Sequence, residues 1–325
     1  MRVSFFTFHK SGSQWVRDVL TDGELMGPAG CNRAFTGWNL FFQPWPNQPD
    51  NTFGGPIYGC APEQWETHSA AGDKALIVLR DPRDIVVSWA DSLTFSHVDA
   101  TAVDLLRGGL TNVGRRNRIL FGINQFRFST SGYLGWATRA LLENEFRTTY
   151  ETLVGCGAAE FIRIVRFLGW PVSDEQIGKA VERHSFLARS GRQPGQADTH
   201  SHYRRGVHGD WKNGFDRTLG ALFERAIPGL VVAGGYEASN EWHRDLPENI
   251  AGLDDAPSAP GMTEHRLLAE LARAREEAQL YKHVCEERLR LIEHLAELGR
   301  RHIEIIERQK ARITDTQPGS PPAAP

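Results

Sequence analysis

The sequence predicts an α/β protein with a parallel sheet flanked by helices, and two strand-to-helix units carry this prediction. Residues 2–8 and 75–80 are apolar, β-prone runs, and each ends at a turn. Apolar residues then recur at helical spacing over 13–21 and 82–91. Strands that alternate with helices usually pair in parallel, and such sheets bind ligands at the carboxyl ends of the strands.

The rest of the first 250 residues continues this pattern. A third strand is expected over 145–150, and helices are expected over 158–168, 174–186 and 217–226. Residues 36–62 are rich in aromatic residues, Pro, Asn and Gly, which predicts a long loop between the first helix and the second strand. That loop either packs on itself or forms part of a pocket or lid.

A change in composition near the C-terminus predicts a domain boundary. Residues 1–247 form the expected globular domain, and 248–261 are a linker rich in Asp, Pro, Ala and Gly. Residues 262–313 predict a long helix with an interrupted heptad seam, and 314–325 a disordered tail. The seam favours self-association or a partner protein over a single charged helix lying against the domain.

Composition excludes several classes of protein. The 325 residues have a formal net charge of −3, which argues against a general nucleic-acid binder. The four cysteines have neither metal-ligand spacing nor a disulfide pattern, so no metal site is expected. No signal peptide or membrane-spanning run is recognised, so the expected location is the cytoplasm.

The turn after the first strand is suited to binding a phosphate group. Residues 10–15 read Lys-Ser-Gly-Ser-Gln-Trp, so a lysine and free backbone N–H groups stand at the start of a helix. The ATP-type loop requires Gly-Lys followed by Ser or Thr, whereas Lys10 precedes Gly12 here. The order therefore indicates a phosphorylated nucleotide of another kind.

Four segments together resemble the cytosolic-type sulfotransferases, which use 3′-phosphoadenosine 5′-phosphosulfate (PAPS). They are the loop at 10–15, Arg-Asp-Pro-Arg-Asp-Ile-Val-Val-Ser at 80–88, Thr-Tyr-Glu at 149–151, and Arg-Arg-Gly-Val-His-Gly-Asp-Trp-Lys at 204–212. The resemblance covers roughly residues 1–245, and the combination is far more specific than any single motif. It implies a P-loop-like sulfotransferase fold.

The resemblance also implies a set of site residues. Lys10 would stabilise the leaving phosphate, and His68, in Glu-Thr-His, would be the base that deprotonates the acceptor. Two guanidinium-containing segments would bind the 3′-phosphate, as guanidinium pairs well with phosphate oxygens. The residues implied to bind PAPS, or its product 3′-phosphoadenosine 5′-phosphate (PAP), are Thr7, Lys10, Ser11, Gly12, Ser13, Gln14, Trp15, Arg80, Ser88, Tyr150, Phe186, Arg204, Arg205 and Gly206.

The chain departs from the family pattern at several positions. His9 replaces the proline before the lysine, Gln14 replaces a threonine, and Glu66 replaces a basic residue near the acceptor. If Glu66 points inward, it would disfavour anionic acceptors. His9, His184 and His208 are interpreted as incidental neighbours of the motifs.

The sequence therefore predicts a PAPS-dependent sulfotransferase that acts on a hydroxyl of a glycan or small molecule by direct in-line transfer. Two alternatives stay open. A P-loop-like kinase would require the Gly-Lys-Ser/Thr order, which is missing. A non-catalytic nucleotide-binding scaffold acting through its coiled coil would be expected to lack a catalytic residue, yet Lys10 and His68 are present.

Overall fold

The computed structural model describes residues 1–97 and 101–254. The strands are β1 Arg2–Thr7, β2 Asn32–Phe35, β3 Trp38–Asn39, β4 Thr52–Tyr58, β5 Lys74–Leu79 and β6 Glu145–Thr149. The helices are α1 Ser13–Leu20, α2 Gly23–Ala29, α3 Pro62–His68, α4 Pro82–Phe95, α5 Thr101–Leu110, α6 Arg115–Phe126, α7 Thr130–Thr138, α8 Tyr150–Cys156, α9 Ala158–Leu168, α10 Asp174–Arg183, α11 Phe186–Ser190, α12 Arg217–Ala226 and α13 Leu230–Ala233.

Every pairing in the sheet is parallel, which confirms the predicted α/β class. The strand order is β2-β4-β1-β5-β6, with β3 also paired to β4. β1 lies at the centre, between β4 and β5, so the turn that follows it opens at the middle of the carboxyl edge. This is the edge where parallel α/β sheets bind ligands.

The predicted elements agree with the structure in most places. The two strand-to-helix units are present as β1 with α1 and β5 with α4. Asp81 caps α4 by accepting from the Arg83 N–H, and Pro82 occupies the first helical position, as the sequence favours there. The helix expected over 174–186 instead ends at Arg183, and α11 starts afresh at Phe186.

The prediction of one long loop over 36–62 is wrong, because β4 lies inside it. Gly54, Gly55 and Pro56 suggest a break in the sequence, yet all three are buried within the strand. A Cβ on Gly55 would lie 2.8 Å from Phe5 of the neighbouring strand. The glycines therefore permit close packing of β4 against β1 rather than ending the strand.

Each face of the sheet is covered by its own hydrophobic cluster. Successive side chains of β1 alternate between the faces, so that Phe5 enters one cluster and Phe6 the other. The Phe5 cluster takes in α1, α2, α9 and α10, and the Phe6 cluster takes in α4, α6, α7 and α12. Helices on both faces hold the central strand rigid, and with it the turn at its end.

Residues 262–313 and 314–325, and all of the linker beyond residue 254, lie outside the described residues, so the coiled coil and the domain boundaries stay predictions. Across 1–97 and 101–254, no helix has both the length and the apolar character that crossing a membrane requires.

Candidate functional site

The turn after β1 presents two adjacent side chains, His9 and Lys10. The Ser11 N–H donates to the Phe8 carbonyl at 3.2 Å, which closes a tight turn with His9 and Lys10 at its corners. Lys10 has a left-handed backbone, with φ of 66°. Such a conformation is uncommon for a lysine and is held here by the surrounding contacts.

Gly12 allows the turn to approach α8. Its φ is 77°, and a Cβ at this position would lie 2.6 Å from the Tyr150 ring. Glycine therefore meets two requirements here, the backbone conformation and the close packing. The predicted nucleotide-binding residues Gly12 and Tyr150 are thus in direct contact.

Arg80, at the end of β5, ties the turn to a later loop. One guanidinium nitrogen donates to the Lys10 carbonyl at 2.7 Å, and another donates to the Val207 carbonyl at 3.2 Å. The guanidinium also lies over the Tyr150 ring, 4.4 Å from its centroid. Arg80 is buried and pairs with Asp84 at 3.4 Å.

Asp84 joins α4 to the segment that contains the predicted second phosphate clamp. Its two carboxylate oxygens accept from the Gly209 and Trp211 N–H groups, at 2.7 and 2.8 Å. The side chain is fully buried. Asp84 therefore fixes residues 204–211 at the same edge of the sheet as Arg80, although the two segments are over a hundred residues apart.

Two further carboxylates hold the arginines of this segment. Arg204 pairs with Asp91 at 3.1 Å and with Asp210 at 2.5 Å, and Arg205 also pairs with Asp210. We call Arg80, Asp84, Arg204, Arg205 and Asp210 the phosphate wall. Its charged groups are held in place by one another before any ligand binds.

Phe186 packs on the adjoining glycine. A Cβ on Gly206 would lie 2.4 Å from the Phe186 ring, and the Gly206 φ is 66°. The Arg192 guanidinium lies over the same ring, 5.3 Å from its centroid. Phe186 and Gly206, which are each predicted to bind the nucleotide, are therefore in contact.

Lys10 lies close enough to the phosphate wall to be affected by its charge. Desolvation, together with the positive charges of Arg204 and Arg80 and against the opposing effect of Asp91, lowers the pKa of Lys10 to about 7. Three cations therefore converge where β1 and β5 end. Such a convergence is favourable only when an anion lies among the cations.

Several buried polar atoms in this region have no hydrogen-bond partner among residues 1–97 and 101–254. They are Ser11 Oγ, Trp15 Nε1 and Arg80 Nε, and Ser11 is completely buried. Buried donors without partners are rare in folded proteins and call for an explanation. Phosphate oxygens would supply acceptors for Ser11 and Arg80, so the residues present fit a phosphorylated ligand.

The other predicted binding residues make contacts to neighbouring residues of the protein. The Thr7 hydroxyl donates to the Val78 carbonyl of β5 at 2.8 Å, and Ser13 Oγ lies 2.9 Å from the Tyr58 hydroxyl. Trp15 packs edge-on against Phe161, at 5.3 Å between ring centroids. Ser88 is buried in α4, and Gln14 is partly exposed in α1.

Comparison with known proteins agrees with this geometry. Residues 72–229 match the family model described as a sulfotransferase domain, a range that includes Arg80, Ser88 and Arg204. Human sulfotransferase 2B1 is 27% identical over 249 residues, and rat sulfotransferase 2B1 is 26% identical over 281 residues. Residues 72–229 are thus similar to a sulfotransferase domain, and these matches support the resemblance to the sulfotransferases that the sequence motifs carry.

The extent of these matches differs between relatives. The human protein aligns with 69% of this chain, and the chain spans 64% of the human protein's own length, just under two thirds. For the rat protein the shares are 78% and 76%. Two solved structures are also similar. A mouse sulfotransferase complexed with PAP has a TM-score of 0.48 and 16% identity, and the match covers 69% of this chain and 82% of the mouse chain. A retinol dehydratase complexed with androsterone and PAP has a TM-score of 0.46 and 15% identity, and the match covers 71% of this chain and 80% of the dehydratase.

The structure does not place His68, the predicted base, beside Lys10. His68 ends α3, where its ring stacks on Trp45 at 4.4 Å and its Nδ1 lies 2.8 Å from the Gln64 carbonyl oxygen. Two residues later, the Ala70 N–H donates to Asp73, which also binds Arg2 at the start of β1. The exposed His68 is thus near the amino edge of the sheet.

Glu66 is directed to another surface as well. Its carboxylate, half exposed, pairs with Arg139 at 2.8 Å. Arg139 also pairs with the buried Glu145 of β6, at 3.3 Å. The interpretation of Glu66 as a filter for acceptor charge therefore loses its basis, because the side chain has a partner outside the phosphate wall.

The structure instead places three histidines around Lys10, and only one of them was considered in the sequence. The positive charge of Lys10 contributes to a lowered pKa of His9, His97 and His202, after the larger effect of desolvation. His9 is the direct neighbour of the lysine, and that adjacency was the available signal. His97 and His202 come from remote segments, so only the fold brings them together.

Proposed function

We propose that this chain is a sulfotransferase that moves a sulfuryl group from PAPS to a hydroxyl of an acceptor and releases PAP. The observation that carries the proposal is the convergence of Lys10, Arg80 and Arg204 where β1 and β5 end. The match of residues 72–229 to a sulfotransferase domain supports it. A nucleotide with phosphates at two positions matches a site built from two cationic segments on either side of a glycine-containing turn.

The chain's own residues have distinct tasks in this scheme. Arg80 and Arg204, which the phosphate wall holds in fixed positions, would bind the 3′-phosphate together with Ser88. The Ser11 hydroxyl and the N–H groups at the start of α1 would bind the 5′-phosphate. The lysine ammonium would stabilise the negative charge that grows on the leaving phosphate oxygen, as a fixed cation does most effectively in a desolvated site.

The transfer itself would be direct and in line. The acceptor oxygen attacks the sulfur, the bond from sulfur to the phosphate oxygen breaks, and the acceptor proton passes to a base. None of these steps needs a covalent enzyme intermediate. The acceptor is a hydroxyl-bearing glycan or small molecule in this proposal. Residues 262–313, for which the sequence predicts a helix, are a proposed site of self-association or of a partner protein.

Thermal unfolding tests the nucleotide site. PAP, AMP and ATP are added separately to the purified full-length chain, and a ligand at about 100 times its dissociation constant stabilises the native state by about 2.7 kcal/mol. We expect strong stabilisation by PAP and little by AMP at the same concentration. Equal stabilisation by AMP, or a preference for ATP, would contradict the proposal and favour the kinase alternative.

A pair of serines on one helix provides a matched comparison. Ser88 and Ser92 are both buried in α4, one turn apart, and only Ser88 is proposed to contact the 3′-phosphate. Ser88→Ala should weaken the stabilisation by PAP, whereas Ser92→Ala should leave it unchanged. The same dependence on Ser88 should be absent with AMP, which lacks the 3′-phosphate. PAP binding without turnover of PAPS would favour the scaffold alternative.

A further inference from the structure

We propose that His9 is the catalytic base that takes the proton from the acceptor hydroxyl. This inference rests on the proposed sulfuryl transfer and names the group that the transfer requires. His9 stands in the turn directly beside Lys10, the residue proposed to stabilise the leaving group. A base must lie next to the reacting atoms, and His68 is not placed there.

The His9 ring is held by its two faces. It stacks on Tyr58 with 4.0 Å between centroids and an interplanar angle of 11°, and on Trp89 with 4.7 Å and 29°. Tyr58 is the last residue of β4 and Trp89 belongs to α4. Two rigid elements therefore fix the plane of the imidazole without using its nitrogens.

The edge of the ring is consequently available for chemistry. Within the described part of the chain, no hydrogen bond is made by either His9 nitrogen, and the residue keeps partial exposure. Because the faces are covered, a second molecule can reach only the nitrogen-containing edge. A base needs this arrangement, namely a fixed ring with a nitrogen free to accept a proton.

The groups that pack near His9 are less suited to the task. His97 makes an edge contact with Trp89 at 4.9 Å, on a tryptophan that also packs on His9. Its Nδ1 is buried, away from an acceptor, and has no hydrogen-bond partner among the described residues. Burial raises the pKa of the Tyr58 phenol, so it does not readily form its basic anion.

The protonation state of His9 fits the role. Desolvation, helped by the positive charges of His97 and Lys10, lowers the pKa of His9 to about 3 in the free protein. The imidazole is therefore neutral at neutral pH, and its lone pair is not occupied by a proton. Binding of the anionic donor beside it would favour the protonated form and raise its basicity during the reaction.

The step balances as follows. The acceptor O–H bond breaks and its proton moves to a free His9 nitrogen, while the oxygen electron pair forms the new O–S bond. The bond between sulfur and the 5′-phosphate oxygen breaks, and its electron pair leaves with PAP beside Lys10. The imidazolium then returns its proton to water, which restores the starting enzyme.

The test uses His9→Phe, which keeps an aromatic ring between Tyr58 and Trp89 but removes the nitrogens. Turnover of labelled PAPS is measured with water alone, with methanol, and with p-nitrophenol at a pH where that phenol is ionised. We expect transfer to water and methanol to fall about 10²- to 10⁴-fold. Transfer to the ionised phenol should be nearly unchanged, because that acceptor has no proton to lose.

Thermal stabilisation by PAP distinguishes a loss of the base from a loss of the folded nucleotide site. His9→Phe should bind PAP as the wild type does, which shows that the site is intact; if it fails to fold, His9→Gln replaces it with the same expectations. His68→Ala is measured in parallel, and a loss of turnover with water and methanol in that variant but not in His9→Phe would return the base to His68. If His9 had only a structural role, its replacement would instead reduce turnover with all acceptors to the same extent.

Three outcomes would overturn the assignment. One is turnover of PAPS at the wild-type rate in His9→Phe and His9→Gln with water and methanol as acceptors. Another is a loss of turnover in these variants that is as large with the ionised phenol as with water and methanol. The third is full loss in His97→Phe with none in His9→Phe, which would make His97 the base. If the wild type binds no PAP and consumes no PAPS, the proposed function itself fails, and the role of His9 fails with it.

Discussion

The phosphate wall and the ring stack, defined as Tyr58, His9, Trp89 and His97, meet at one turn but are fixed by different forces. In the phosphate wall, carboxylates hold guanidinium groups through buried ion pairs and backbone hydrogen bonds. In the ring stack, aromatic faces hold the His9 imidazole, and its nitrogens make no hydrogen bond to described residues.

This difference follows from what each region must do. Cations that bind a phosphate would repel one another in the free protein, so nearby carboxylates reduce the cost of placing them together. A proton acceptor requires the opposite, because any protein donor at its nitrogen would occupy the lone pair. Lys10 lies between the two regions, with its carbonyl bound to Arg80 and its neighbour His9 in the ring stack.

The largest effect on stability is expected when the Asp84 carboxylate is removed from the phosphate wall. Asp84→Ala leaves the buried Arg80 without its carboxylate and leaves the Gly209 and Trp211 N–H groups without an acceptor. Removing one partner of a buried pair costs about 3–5 kcal/mol in the free energy of unfolding. Urea denaturation measures this, and a change near zero would show that the carboxylate does not organise the wall.

An exposed pair on the same protein serves as the control. Asp174 pairs with Arg166 at 2.6 Å, and both side chains are more than half exposed. Since exposed pairs contribute about 0–1 kcal/mol, Asp174→Ala should shift the urea midpoint only slightly. Equal losses in the two variants would contradict the distinction between a buried, organised wall and the surface.

The next effect tests the residue where the two regions meet. Lys10→Met keeps the length of the side chain and removes its charge, and turnover of PAPS should fall about 10²- to 10³-fold, as on removal of one stabilising donor. Lys212→Met, on an exposed lysine beside Trp211, should leave turnover unchanged. Retained turnover in Lys10→Met would remove the lysine from the mechanism.

The sequence could predict those site residues whose position depends only on the strand or helix next to them in the chain. Lys10 and Arg80 each follow a buried strand, so their place at the carboxyl edge follows from the α/β pattern. Asp84 and Asp91 are invisible as partners in the sequence, because their contacts with Trp211 and Arg204 join segments over a hundred residues apart. Ion pairing at that range depends on the finished fold.

The prediction of His68 as the base has a related origin. Taking Gly54, Gly55 and Pro56 as a break hides β4, and without β4 the Thr67-His68 dipeptide has no element to exclude it from the site. Once β4 is known, α3 starts beside its carboxyl end and carries His68 away. His9 was visible beside Lys10, but its stacking partners Tyr58 and Trp89 come from two other elements.

A smaller effect concerns the pH dependence of nucleotide binding. Desolvation and the neighbouring arginines lower the pKa of Lys10 to about 7, so in the free protein its charge is present below that pH and lost above it. Phosphates favour the charged form and raise this pKa, so binding above pH 7 takes up a proton. PAP affinity should therefore fall with rising pH, by up to about tenfold per pH unit.

Calorimetry in two buffers with different ionisation enthalpies counts the protons taken up on binding. The nearby His9, His97 and His202 are already neutral above pH 7, because their pKa values are lowered. Lys10→Arg, which stays charged, should bind PAP with no proton uptake in this range. Uptake that persists in this variant would assign the proton to another group.

The smallest effect lies outside both regions, at Glu66. Glu66→Gln removes a half-exposed carboxylate from Arg139, which keeps its second partner Glu145, so stability should change by less than about 1 kcal/mol. Because Glu66 contacts neither the phosphate wall nor the ring stack, relative turnover with neutral and anionic alcohols should match that of the wild type. A gain for anionic alcohols would restore the expectation from the sequence that Glu66 faces the acceptor, and would extend the acceptor side beyond the ring stack to α3.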